Sequence, residues 1–158
     1  MRIGVFIDIS NLYHGSRKNY SRKLDYGKYL DFVGHLGDVT IARAYGSCVG
    51  DGAKNFIGAL RKQGYKAIFT RTKLYHDGPK DTSKGDMDSV MIVDIMRMMD
   101  QFDKIVLGSG DADFKPVLKE CLAQGKDVII LACNVASCYN DMCQVLEVHE
   151  GLLEAESE

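Results

Sequence analysis

No stretch of the chain approaches the roughly 20 consecutive apolar residues that a membrane-spanning helix needs. The opening segment MRIGVFIDIS reaches an Asp after five apolar or Gly positions, so neither a membrane span nor a signal peptide is expected. There is no Gly-rich phosphate loop of the GxGxxG or GxxxxGKS/T kind, and Asp8 does not open a phosphoryl-accepting DxDxT/V motif. The five cysteines (Cys48, Cys121, Cys133, Cys138 and Cys143) form no CxxC pair, and their odd number suggests no disulfide framework. A reducing, cytoplasmic setting is the expectation. The four His show no paired spacing, which leaves zinc without an obvious ligand set.

What is there reads as an ordinary globular protein. The 158 residues are 46% hydrophobic and 27% charged, with no low-complexity tract, repeat or linker. One domain over residues 1–150, followed by a short acidic tail at 151–158, is the simplest division. The net charge of −2 hides an asymmetry, because residues 147–158 carry five Glu and no Lys or Arg; the remaining body is at +3. Residues 61–84 hold seven Lys or Arg, among them Arg71, Lys73, Lys80 and Lys84, and a second group, Arg17, Lys18, Arg22 and Lys23, follows the first strand. Such segments serve as solvated faces, and they are also what a phosphate backbone needs. Tyr13, His14, Tyr20, Tyr75 and His76 lie among them and could stack on unpaired bases.

Short apolar runs alternate with helical segments. RIGVFI (2–7), VTIARAYG (39–46), YKAIFT (65–70), KIVLG (104–108), DVIILAC (127–133) and QVLEV (144–148) suit strands covered on both faces. Helices are expected over 25–37, 51–64, 86–102 and 113–125, several opening with Asp and closing at Gly. The alternation predicts an α/β domain whose mainly parallel sheet, of about five or six strands, is wound with helices on both faces. Residues 71–85 form its one long loop. The Met-rich segment 90–99 is expected to be buried, with a homodimer or protein-partner interface as its other use.

In such sheets ligands sit beyond the carboxyl ends of the strands. There the chain places acids: Asp8 with Asn11 after the first strand, and Ser109, Asp111 and Asp113 in GSGDADF after the strand at 104–108. Asp86 and Asp88 open the preceding helix. Like charges gathered at one edge are tolerated when a divalent cation neutralises them, and a hard oxygen set without His or Cys suits Mg²⁺ or Mn²⁺. Plainer roles exist for several of them. Asp113 can cap the helix starting at Phe114, Asp111 can be a turn residue, and Asp86 can be the N-cap that leaves Asp88 in the first turn. A carboxylate ending an apolar strand, as Asp8 does, is costly without a partner. Asp94, about 120° round the helix from Asp88, can support the site or pair with Arg97 at i+3. Lys84 can approach a phosphate.

FIDISN, KGDMDSVMIVDIM and GSGDADF resemble, in order and spacing, the three motifs of the NYN domain, a branch of the PIN-like nucleases, over residues 2–148. The resemblance implies a Rossmann-like, three-layer α/β/α fold, an acidic metal site and metal-dependent cleavage of RNA. By position the family's acidic set falls on Asp8, Asp88, Asp111 and Asp113. Asn11, Ser109, Lys84 and Asp94 support it, and Asp88 is favoured over Asp86 as the inward acid. The expected activity is therefore a Mg²⁺- or Mn²⁺-dependent ribonuclease, in the endonuclease mode, holding RNA with Arg17, Lys18, Arg71, Lys73, Lys80 and Lys84. An RNA-binding or regulatory module on the same fold, and a small-substrate phosphohydrolase, are the alternatives.

Overall fold

A computed structural model describes residues 1–48, 53–71 and 83–155, with the side chains of Cys48, Arg71 and residues 83–86 outside the description. Six strands, β1 (Arg2–Asp8), β2 (Asp38–Cys48), β3 (Lys66–Arg71), β4 (Lys104–Gly108), β5 (Asp127–Ala132) and β6 (Gln144–Glu147), form one sheet in the order β3-β2-β1-β4-β5-β6. Every pairing is parallel. Among the described residues five helices accompany it: α1 (Ile9–Tyr20), α2 (Tyr26–Gly34), α3 (Lys54–Gln63), α4 (Ser83–Arg97) and α5 (Lys115–Ala123). No helix among the described residues is long and apolar enough to cross a membrane.

The central strands are apolar on both faces because both are covered. Ile3, Val5, Phe6 and Ile7 of β1 and Ile105, Val106 and Leu107 of β4 are fully buried. Phe6 meets Phe102 edge-on at 6.0 Å on the α4 and α5 face. On the other face the Tyr29 hydroxyl of α2 donates 2.8 Å to the Leu131 carbonyl of β5, and α1 and α3 complete that layer. The result is a three-layer α/β/α fold, with sheet and core where the apolar runs place them.

Four differences from the sequence reading have local causes. Helix α1 was not expected. Asp8 starts it by accepting from the Asn11 amide at 3.2 Å, and Ser21, in the left-handed region at φ 54°, ends it. The helix expected over 25–37 stops at Gly34. The segment expected over 86–102 begins at Ser83 and breaks after Arg97, followed by a 3₁₀ turn at Met99–Gln101. The Met-rich stretch is buried on one face only: Met91, Ile95 and Met99 face the core, whereas Val90, Val93 and Met96 are 37%, 47% and 46% exposed.

Candidate metal and nucleic-acid site

Strand order reverses between β1 and β4, the two neighbours whose connections leave toward opposite edges of the sheet. This switch point is where α/β sheets open a crevice for ligands. Asp8 ends β1 here, and Ser109 follows β4, whose Gly108 pairs with Ile7.

A chain of hydrogen bonds shapes the segment after β4. The Gly110 amide donates 3.1 Å to Asn11 Oδ1, tying the segment to the first turn of α1. Ser109, fully buried, accepts from the Asp111 amide at 3.2 Å, and Asp111 Oδ1 accepts from the Asp113 amide at 3.0 Å. The Tyr139 hydroxyl, buried and with its pKa raised chiefly by that burial, donates to the Asp111 carbonyl. Gly110 itself can carry no side chain without a shift, because a Cβ there would lie 2.8 Å from Val135 Cα and 2.9 Å from the Asn134 carbonyl. The cap expected of Asp113 belongs to Asp111, which starts the 3₁₀ turn Ala112–Phe114; the N-cap position of α5 is Phe114, with no side-chain cap.

These restraints bring carboxylates together. Asp88, Asp111 and Asp113 each offer an oxygen, and the three lie within 4.8 Å of one another. Asp88 is only 8% exposed in the second turn of α4, while Asp113 is exposed to solvent. Asp8, 7% exposed, stands at the neighbouring strand end outside that close group. Asp86 and Asp88 both lie inside α4, which starts at Ser83, so Asp86 is not its N-cap; Asp88 takes part in the cluster, and the side chain of Asp86 lies outside the description.

Asp94 is placed otherwise than by an i+3 pair. Its Oδ2 accepts from the Tyr45 hydroxyl at 2.7 Å and from Arg43 Nη2 at 3.2 Å, both on β2 rather than from Arg97. Tyr45 pairs in register with Asp8, so this knot holds α4 against the strand beside the acids. Arg43 and Tyr45 escaped the sequence reading. The available signal was a charge inside VTIARAYG, since a charged residue in a strand covered on both faces needs a partner.

Of the basic residues, Arg17 and Lys18 lie in the exposed last turn of α1, with the Arg17 guanidinium 5.7 Å from the Tyr13 ring centre. Lys73, Lys80, Tyr75 and His76 lie outside the described residues, and so do the side chains of Arg71 and Lys84. A hollow of about 200 Å³ opens beside α1 at the same edge. A larger one, about 660 Å³, lies at the other end of the sheet around Asp38 and Val39, away from the acids.

Comparison with known proteins agrees with this architecture. The chain is 25% identical over 137 residues to low amplitude and bright protein LabA of Synechococcus elongatus, spanning 83% of this chain and 73% of that protein. It is 30% identical over 132 residues to the uncharacterised protein MJ0482 of Methanocaldococcus jannaschii, covering 82% of this chain and 47% of that relative, about half its length. A crystal structure of a protein of unknown function, VPA0982 from Vibrio parahaemolyticus, superposes with a TM-score of 0.84 at 22% identity, over 97% of this chain and 96% of that one, which establishes a shared fold. The family description matching residues 2–146 is that of the NYN domain. With a six-stranded parallel sheet and three acids at its switch point, the chain belongs to the NYN domain family.

Proposed function

We propose that the protein is a Mg²⁺- or Mn²⁺-dependent ribonuclease that cleaves RNA internally, leaving 5′-phosphate and 3′-hydroxyl ends. The observation that carries this reading is the convergence of Asp88, Asp111 and Asp113 within 4.8 Å at the switch point of a NYN-family sheet. The donors fit such an ion, being carboxylate oxygens with neither His nor Cys among them. When bound, the ion supplies a Lewis acid that activates water and neutralises charge developing on the phosphodiester.

The remaining roles belong to the chain. Asp88, Asp111 and Asp113 hold the cation, with Asp8 completing the acidic set from the adjacent strand end. Asn11 and Ser109 fix the path of residues 109–113 through the bonds to Gly110 and Asp111. Asp94 keeps α4, and with it Asp88, against β2. Arg17 and Lys18 on α1, together with Arg71, Lys73, Lys80 and Lys84, hold the RNA backbone, so affinity falls as salt rises.

The test compares wild type with Asp111→Asn on a mixed RNA pool, with Mg²⁺ or Mn²⁺ and with chelator, both proteins being verified as folded by circular dichroism. Cleavage by wild type alone, and only with metal, is expected. If neither protein cuts RNA while salt-sensitive binding persists, the domain is a binding module. Turnover of a free nucleotide without RNA cleavage makes it a small-substrate phosphohydrolase.

A further inference from the structure

The hollow of about 200 Å³ at the acidic edge has a composition that the acidic cluster does not explain. Asn11, His14, Gly15 and Lys18 line it from α1, spaced three, one and three residues apart and therefore on one helix face. Cys133 and Asn134, just past β5, form the opposite wall. Its floor is tight and uncharged: a Cβ on Gly15 would lie 2.7 Å from Cys133 Cβ, so only Gly lets α1 sit this close to the end of β5. Its rim is polar. Asn19 Nδ2 donates 3.2 Å to Asn134 Oδ1, bridging α1 to the far wall, and Asn134 holds φ at 53°, a left-handed conformation that Asn tolerates better than most residues.

The hollow and the acids are neighbours with a thin partition. Asn11 lines the hollow and also accepts from the Gly110 amide, one residue before Asp111. A chain crossing the carboxyl edge of the sheet from the acids would pass over the Asn11–Gly110 seam and enter the hollow next. At its mouth it would meet an exposed lysine, Lys18, and an imidazole, His14, whose ring packs edge-on against Tyr13 at 5.4 Å. A cation and aromatic rings beside a small, polar-rimmed cavity match a phosphate joined to a planar base.

We propose that this cavity is the subsite for the nucleotide adjoining the cleaved phosphodiester in single-stranded RNA, with Lys18 on its phosphate and His14 against its base. The assignment rests on the ribonuclease reading for the word "cleaved". The binding it predicts is measurable without cleavage.

The test titrates wild type, Lys18→Ala, His14→Ala and Lys66→Ala, each in chelator, against a fluorescein-labelled single-stranded RNA of mixed sequence and about 12 nucleotides, read by anisotropy over a salt series. Lys66 begins β3 at the opposite edge of the sheet and serves as the charge-matched control. Lys18→Ala should weaken binding about tenfold and flatten the slope of log K against log salt by about 0.7, the loss of one single-strand phosphate contact. His14→Ala should weaken binding about five- to tenfold with the slope unchanged, as loss of stacking does. Equal effects of Lys18→Ala and Lys66→Ala overturn the proposal, because the lysine then acts only through net charge. It is also overturned if uridine 5′-monophosphate binds as tightly as the oligonucleotide, which makes the cavity a free-nucleotide site. A parallel cleavage assay with Mn²⁺, comparing wild type with Asp113→Asn, separates the two readings. Metal-dependent cleavage with no selective effect at Lys18 leaves the nuclease without this subsite, whereas selective loss at Lys18 without any cleavage leaves a binding site without the nuclease.

Discussion

The Tyr45 hydroxyl of β2 reaches across to α4 and donates a 2.7 Å hydrogen bond to Asp94, an acid that also accepts from Arg43 two residues earlier on the same strand. The Arg43–Asp94 pair is mostly shielded, with side-chain exposures of 16% and 18%. Burial is the main cause holding the Tyr45 hydroxyl above its ordinary pKa, and its bond to Asp94 acts in the same direction, so it remains a donor through the neutral range. Tyr45→Phe removes two charge-assisted bonds, the one given to Asp94 and the one accepted from Arg43 Nε at 3.0 Å, and is expected to cost at least about 1.5–3 kcal/mol in urea unfolding. Asp94→Asn should cost a similar amount, and the double variant less than the sum, since both act on one network. Additive losses would show that the two side chains stabilise the fold independently.

Three carboxylates within 4.8 Å repel one another unless a cation or proton intervenes. Asp113→Asn is therefore expected to raise the melting temperature in chelator and to remove the further rise that Mn²⁺ gives wild type. Binding at a hundredfold excess over Kd corresponds to about 2.7 kcal/mol of stabilisation, which scanning fluorimetry resolves readily. A variant that melts lower in chelator and keeps the full Mn²⁺ response would place the cation elsewhere.

Thiol chemistry offers a probe of the core that does not depend on activity. Cys121 is fully buried and its pKa is pushed up to about 11 by that burial, Cys133 is raised for the same reason, and Cys138 is exposed. A thiolate is the reactive form, so raising the pKa slows alkylation at neutral pH. Among these three, Cys138 should label with iodoacetamide first, and Cys121 and Cys133 only once the protein is unfolded. Peptide mass spectrometry reads the order, and early labelling of Cys121 would contradict the packing of α5 on β5.

The strands were legible because a sheet covered on both faces demands near-continuous apolar runs, and RIGVFI, KIVLG and DVIILA supply them. Strand order was not, since which runs pair is decided by crossover packing that no local pattern encodes. Helix α1 stayed hidden because ISNLYHGSRKNY is mostly polar, with Ile9 and Leu12 its buried large apolar residues, and its buried face goes on in the small residues Gly15 and Ser16, of which Gly15 lets the helix approach Cys133. What announced it was Asp8, read for its charge rather than for its capping geometry. The acids after β1 and β4 could be assigned to one edge from strand ends alone. Their contacts could not: the close group joins Asp88 to Asp111 and Asp113, and Asp94 turns to Arg43 and Tyr45.

The path of residues 109–113 depends on two contacts that substitution can separate. Asn11→Ala removes the acceptor for the Gly110 amide, leaving a partly buried donor to find water, at a cost of about 1–3 kcal/mol. Gly110→Ala instead forces a methyl group against Val135 Cα and the Asn134 carbonyl, both backbone atoms that yield only if the segment moves; overpacking of this kind costs about 1–3 kcal/mol. Both variants should stay folded and lose Mn²⁺-dependent stabilisation, because Asp111 and Asp113 lie one and three residues beyond Gly110. Asn11→Asp keeps an oxygen acceptor for the Gly110 amide and should recover more of the lost stability than Asn11→Ala, with its added charge strengthening rather than weakening the response to Mn²⁺. Calorimetric titration of Mn²⁺ into the three variants discriminates these outcomes, and undiminished affinity in Gly110→Ala would mean that the acids do not depend on this backbone path.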